Sequence, residues 1–144
     1  IYAGKRVDEV ADNVFVKSSR INSTWGANLV DMVRSRRFIE IILEDDLQTN
    51  ITAMGEKTID GLRSLARETG AFSSVRGLGS LIAFSFDSPE ARGKMLAALY
   101  AERVLALPCG DDSVRFRLPL TISGDEVDTL LERTAASVGA MATV

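Results

Sequence analysis

Apolar positions along this chain recur with two periods, and the switch between them marks out the elements. From Thr24 or Trp25 to about Leu47 the pattern is helical. Leu29, Met32 and Val33 share a face, as do Phe38, Ile41 and Ile42. Arg34, Arg36 and Arg37 interrupt that stripe and read as a solvated face. Asp45-Asp46 marks a break. Leu47, Ile51, Met54, Thr58, Leu62, Leu65 and Ala66 then predict a second helix, with Gly70 where a C-terminal cap belongs. The period drops to that of a strand in Ser74-Val-Arg76 and again from Leu81 to Phe86, where Ile82, Phe84 and Phe86 fall on one face. Gly77 and Gly79 between these runs read as hairpin geometry. Arg76 reads as a structural ion-pair partner.

Ser88-Pro89-Glu90 is a helix start: a cap, a proline at the first position and an acid in the first turn. That helix runs to about Arg103 and buries Met95, Leu96 and Leu99. Val104 to Leu107 is a short strand closed by Pro108. Cys109 to Asp112 is a turn, and Ser113 to Leu118 is a further strand. There Val114, Phe116 and Leu118 alternate with Arg115 and Arg117, so both guanidinium groups project to one face. Ser123-x-x-Glu126 has the form of a capping box. The last helix carries Val127, Leu130, Leu131, Ala135 and Val138 on one side, with a fraying tail from Gly139. The opening of the chain is poorer in signal. Tyr2-Ala-Gly4 reads as a strand end, Lys5 to Asp12 as a loop or short turn, and Val14-Phe-Val16 as a β-prone run. This segment looks like part of a larger body. The order of elements predicts an α+β fold, with three or four mostly antiparallel strands backed by helices.

Composition narrows the function. The chain has 144 residues, 46% hydrophobic and 26% charged, with a net charge of -3. Its scattered Lys and Arg argue against a nucleic-acid or anionic-membrane surface. No apolar run approaches the roughly 20 residues that cross a bilayer, and no signal peptide is visible. The chain begins at Ile1 without a Met, which reads as a processed product or a fragment. There is no His, which removes His-based triads, imidazole bases and most zinc sites. Cys109 is the single cysteine, so no intrachain disulfide is possible and a reducing, cytoplasmic compartment fits. Chemistry served by this chain must be borrowed from a cofactor or from residues elsewhere.

One stretch suggests which. Arg20-Ile-Asn-Ser-Thr-Trp-Gly-Ala-Asn28 is polar and leads into the first helical pattern. Asn22, Ser23 and Thr24 are all good N-cap residues. A helix start leaves N–H groups unpaired and carries partial positive charge, so it attracts phosphate. Hydroxyls from Ser23 and Thr24 would add donors. An ordinary capped helix start fits the same residues.

Four runs in register go further: Val7-Asp-Glu-Val-Ala-Asp-Asn-Val14, Ile21-Asn-Ser-Thr-Trp-Gly-Ala-Asn28, Arg76-Gly-Leu-Gly79, and Leu107-Pro-Cys-Gly-Asp-Asp-Ser-Val-Arg-Phe-Arg-Leu-Pro-Leu-Thr121. Together they resemble the C-terminal half of class III pyridoxal-phosphate (PLP) aminotransferases. Within that family they are most similar to the L-lysine 6-aminotransferase branch. Leu118 and Ala27 depart from the family pattern, where proline and glycine are usual. The resemblance implies the small C-terminal domain of a fold type I PLP enzyme. Residues 1–24 would be a remnant of the large PLP-binding domain and residues 25–144 the small domain. It implies transfer of the ε-amino group of L-lysine to 2-oxoglutarate in a homodimer. Ornithine, acetylornithine and 4-aminobutyrate enzymes share the layout.

By the same resemblance, Thr24 matches the threonine that reaches the PLP phosphate of the neighbouring subunit. Ser23 lies beside it, and Asn22 matches a nearby polar position. Arg115 matches the arginine that binds the α-carboxylate of the amino-acid substrate or of 2-oxoglutarate. The turn Pro108-Cys-Gly110 would line the same mouth, with Cys109 a small buried residue. Arg117 reads as a surface ion pair. The Schiff-base lysine lies before the position matching Ile1, and Lys5, Lys17, Lys57 and Lys94 do not match it, so no catalytic residue is expected here and the chain alone should be inactive. A free-standing α+β module that binds a small anion or dimerises, without catalysis, also fits the composition.

Overall fold

The computed structural model describes residues 4–17, 20, 24, 26 and 28–141. By its internal contacts the chain divides into two compact units, Ile1–Ile41 and Ile42–Val144.

The first unit opens with a 3-10 turn, Lys5–Glu9. Asn13 organises the next stretch. Its side-chain amide donates to the Val7 and Val10 carbonyls (3.0 and 2.9 Å), and its side-chain oxygen accepts from the Phe15 N–H (2.9 Å). That local bonding draws Val14 to Val16 into turns, so the β-prone run forms no strand. The expected strand end at Tyr2-Ala-Gly4 falls on residues outside the described ones, apart from Gly4.

Helix α1 spans Leu29–Glu44, starting later than the Thr24 or Trp25 expected. Asn28 is the reason: its side-chain oxygen accepts from the Val30 N–H at 3.0 Å, as an N-cap does. Arg34 pairs with Asp31 and Arg36 with Glu40 on its solvated face.

In the second unit, α2 (Leu47–Thr69) ends at Gly70, which takes the left-handed conformation (φ 64°) and donates to the Ala66 carbonyl at 2.9 Å. Strands β1 (Ser73–Leu78) and β2 (Leu81–Ser85) form the expected hairpin. Helix α3 (Pro89–Ala101) is capped by Ser88, whose hydroxyl accepts from Ala91 N–H at 3.1 Å. Strands β3 (Leu107–Cys109) and β4 (Ser113–Arg117) follow, then α4 (Gly124–Met141). The short strand is therefore Leu107–Cys109, with Pro108 inside it rather than closing it. Proline is tolerated there because β3 is an edge strand. The helix α4 continues through Gly139 to Met141, where a fraying tail was expected.

The sheet order is β1-β2-β4-β3, and every neighbouring pair is antiparallel. One face is the core. Ile82, Phe84, Phe86, Val114, Phe116 and Leu118 are buried on it. Phe84 lies at the centre, with ring centroids 4.7 Å from Phe72 and 5.3 Å from Phe116. Tilted and edge-on pairs of this kind add about 1 kcal/mol each to the area they bury. Helices α2 and α3 pack on the sheet, and α4 packs on α2 and α3. At the helix contacts Thr58, Thr134 and Ser137 are buried, each hydroxyl donating to a carbonyl one turn back. Ala135, expected on the buried side of α4, is exposed instead. The opposite sheet face is open: Leu78, Leu81 and Leu107 stay exposed there. No helix among the described residues is long and apolar enough to cross a membrane.

Candidate functional site

The open sheet face positions Arg115. Strand alternation sends Val114 and Phe116 into the core, so Arg115 projects the other way. Across the strands it stands opposite Ala83 on β2 and Leu107 on β3. Arg115 is half-buried. Its Nε is shielded from solvent and has no hydrogen-bond partner. Among the described residues the side chain has no carboxylate facing it. Arg117, two positions on, is exposed and forms no ion pair among those residues, so the expected surface pair is not made.

Arg76 also differs from expectation. It pairs with hydroxyls rather than directly with an acid. Its Nη1 donates to the Ser74 carbonyl (2.8 Å) and Ser85 Oγ (3.0 Å), and its Nη2 donates to Ser113 Oγ (3.1 Å). Ser113 Oγ in turn donates to Asp112 Oδ1 at 2.8 Å. Single-sequence patterning misses this network, since only the sheet register brings the three strands' polar residues together.

The β3–β4 turn beside Arg115 is held from α3. Arg92 Nη1 donates to the Gly110 carbonyl at 3.3 Å, and Gly110 takes the left-handed conformation (φ 59°) that suits glycine. Cys109 is a free, half-buried thiol on β3.

Thr24 lies in the first unit, exposed and in a turn, five positions ahead of α1. It makes no hydrogen bond among the described residues. Ser23 and Asn22 fall outside those residues. Thr24 does not open the helix: α1 starts at Leu29, and Asn28 caps it. Asp31 adds an acid to that first turn, which disfavours an anion there. Arg20, at the start of this stretch, is paired with Asp12 at 3.0 Å. Among the described residues no group of His, Cys, Asp and Glu side chains could hold a metal ion.

Known proteins match this arrangement along nearly the whole chain. The chain is 44% identical over 140 residues to L-lysine-epsilon aminotransferase of Amycolatopsis lactamdurans, covering 96% of this chain and 31% of that protein. It is 42% identical over 144 residues to the protein of the same name from Streptomyces clavuligerus, covering 99% of this chain and 32% of the other. The solved lysine aminotransferase from M. tuberculosis superposes with a TM-score of 0.85 at 41% identity, over 96% of this chain and 32% of that one. The chain thus spans about a third of the length of these relatives, and the neighbours' fold is that of fold type I PLP enzymes. Residues 3–138 match the aminotransferase class-III family, and on that match, with relatives this similar and this sheet, the chain belongs to the family.

Proposed function

We propose that this chain is the C-terminal portion of a PLP-dependent transaminase that moves the ε-amino group of L-lysine to 2-oxoglutarate. The observation that carries this reading is Arg115, a half-buried guanidinium with no carboxylate partner among the described residues and an orphaned Nε. A cation partly removed from water needs an anion or further hydrogen bonds. Its planar fork suits a carboxylate held by two parallel bonds. In this reading that carboxylate is the α-carboxylate of the amino acid or of 2-oxoglutarate.

Thr24 is assigned to the cofactor phosphate, with Ser23 beside it and Asn22 nearby. Its exposed, unbonded hydroxyl fits: a phosphate oxygen can accept from it without displacing a protein partner. PLP, when bound, supplies the electron sink for bond breaking at the amino carbon. The residues of this chain bind and orient; the lysine that anchors the cofactor is not among Lys5, Lys17, Lys57 and Lys94. Residues 1–24 are read as the end of a large cofactor-binding domain and residues 25–144 as the small domain. The complete enzyme is read as a cytoplasmic homodimer in which Thr24 serves the partner's cofactor.

The test compares this 144-residue chain with a longer polypeptide that carries it behind an anchoring lysine. With L-lysine, 2-oxoglutarate and PLP, the longer polypeptide turns over and the short chain stays at blank. Turnover by the short chain overturns the division of labour. Full activity after Arg115→Ala in the longer polypeptide overturns the substrate contact.

A further inference from the structure

We propose that Arg76 is a positioning residue for Arg115, acting through a hydrogen-bonded relay, Arg76–Ser85–Ser113–Asp112, that locks β4 to β1 and β2 on the face carrying the guanidinium of Arg115. The inference rests on the reading of Arg115 as the carboxylate contact.

The register puts the two arginines in one row. Arg76 stands opposite Ala83, and Ala83 stands opposite Arg115. At about 4.8 Å per strand their backbones are about 10 Å apart. Two like charges on one face would repel and compete for the same anion. The relay gives Arg76 a different destination. Arg76 Nη1 and Nη2 donate to Ser85 Oγ and Ser113 Oγ, and the two hydroxyls lie 2.8 Å apart. Ser113 has one hydroxyl proton, and it goes to Asp112 Oδ1. Ser85 must therefore donate to Ser113, so the bonds run in one direction from guanidinium to carboxylate. Ordered this way, the hydroxyl dipoles reinforce one another.

Two consequences reach Arg115. Ser113 is buried and sits two residues before it on the same strand face, so three strands fix the backbone that presents the guanidinium. Asp112, the acid closest to Arg115 in the chain, is engaged by Ser113. Arg115 is left open to an incoming carboxylate, and Arg76 is turned toward the Asp112 end of the face.

The test measures kcat and both KM values in the longer polypeptide that carries this sequence. Arg76→Met should raise KM for L-lysine and 2-oxoglutarate by about tenfold, equal to about 1.4 kcal/mol, with kcat within about twofold. Arg76→Lys, which can still donate to the serines, should recover part of the loss. If Arg76→Met fails to fold, Asp112→Asn keeps the shape, removes the relay's charge and should raise KM by about threefold. A lower melting temperature with unchanged KM in the folded variant overturns the proposal, because a purely structural role predicts that result. Arg115→Ala separates the two ideas. Unchanged KM there sinks the substrate reading itself; raised KM there with no effect at Arg76 or Asp112 sinks only the relay.

Discussion

Gly55 on α2 meets Gly79 in the hairpin turn backbone to backbone: a Cβ built on Gly55 would stand 2.4 Å from the Gly79 carbonyl oxygen. Neither side is the end of a flexible side chain, so the contact cannot yield cheaply. Gly55→Ala gains about 1 kcal/mol of helix propensity, but forcing helix and hairpin apart costs about 1–3 kcal/mol and falls on the core beneath. The net effect should lie between neutral and about 2 kcal/mol destabilising in urea or thermal unfolding. Gly93 on α3 is the matched control, exposed and with nothing within 4 Å of an added Cβ. Gly93→Ala should stabilise by about 0.5–1 kcal/mol. Equal effects at the two glycines would show that the close approach carries no energy.

Arg115 gives a prediction of opposite sign for binding and for stability. A half-buried guanidinium without a counter-charge among the described residues is unfavourable in the folded chain. Replacing it by an apolar side chain of similar length should leave stability unchanged or raise it by up to about 1 kcal/mol, after allowance for its partial exposure. Arg115→Met in the 144-residue chain should therefore melt no lower than the parent. On the proposed carboxylate contact, the same substitution in the longer polypeptide should lower kcat/KM by about tenfold to a hundredfold, because hydrogen bonds to a charged group contribute about 1.5–3 kcal/mol. A large drop in melting temperature would place Arg115 among the structural residues instead.

These contrasts bear on what the sequence could express. The second unit was legible almost throughout, because its signals are local and agree with one another. Gly70 after a helical stripe, Ser88-Pro89 and Ser123-x-x-Glu126 each name a terminus, and each is found where expected. Strand alternation likewise set Arg115 apart from the core residues on either side of it. The losses occurred where a stronger neighbour decided the outcome. Three good caps at Asn22 to Thr24 masked Asn28, which stands directly before the apolar stripe and is the cap in use. Asn13 overrode the β preference of Val14 to Val16 by bonding the backbone on both sides of itself. The hydroxyl relay of Arg76 was invisible because it depends on which strands become neighbours. The buried hydroxyls of Thr134 and Ser137 were invisible for a related reason: each returns its proton to its own helix, so a polar residue sits where periodicity asks for an apolar one.

The capping box predicts a pH dependence. Glu126 accepts from the Ser123 N–H at 2.8 Å and from its hydroxyl at 3.0 Å, and the backbone bond above all holds its carboxyl below the ordinary range. A carboxyl depressed in the folded state stabilises it at every pH above the unfolded value and loses that contribution as pH falls through the folded value. The loss therefore begins below about pH 4.5. Glu126→Ala should melt lower than the parent at pH 7, and the gap should close as both are titrated into acid. A gap that stays constant down to the acid limit would mean that the box contributes through shape alone.

Asn50 supplies the last prediction, through chemistry that neither periodicity nor caps reveal. Its side-chain amide, half-buried on α2, donates to the Leu120 carbonyl at 2.9 Å and to the Ile122 carbonyl at 3.0 Å. Both protons of one amide thus hold the segment between β4 and α4. Asn50→Asp keeps the shape and reverses the logic, since an ionised carboxylate only accepts and would face two carbonyl oxygens. Two bonds are lost and like partial charges are brought together, so the chain should be destabilised by about 2–4 kcal/mol at pH 7. The facing oxygens must raise the pKa of the new carboxyl in the folded state. By linkage, its stability is fully present below the unfolded value and lost as pH rises through the folded one. Part of the defect should therefore disappear in acid, where the protonated carboxyl recovers one donor. Asn50→Leu separates the effects: it also loses both bonds, but its defect should not depend on pH. If Asn50→Asp and Asn50→Leu show the same loss at every pH, the two carbonyls are not held by this amide.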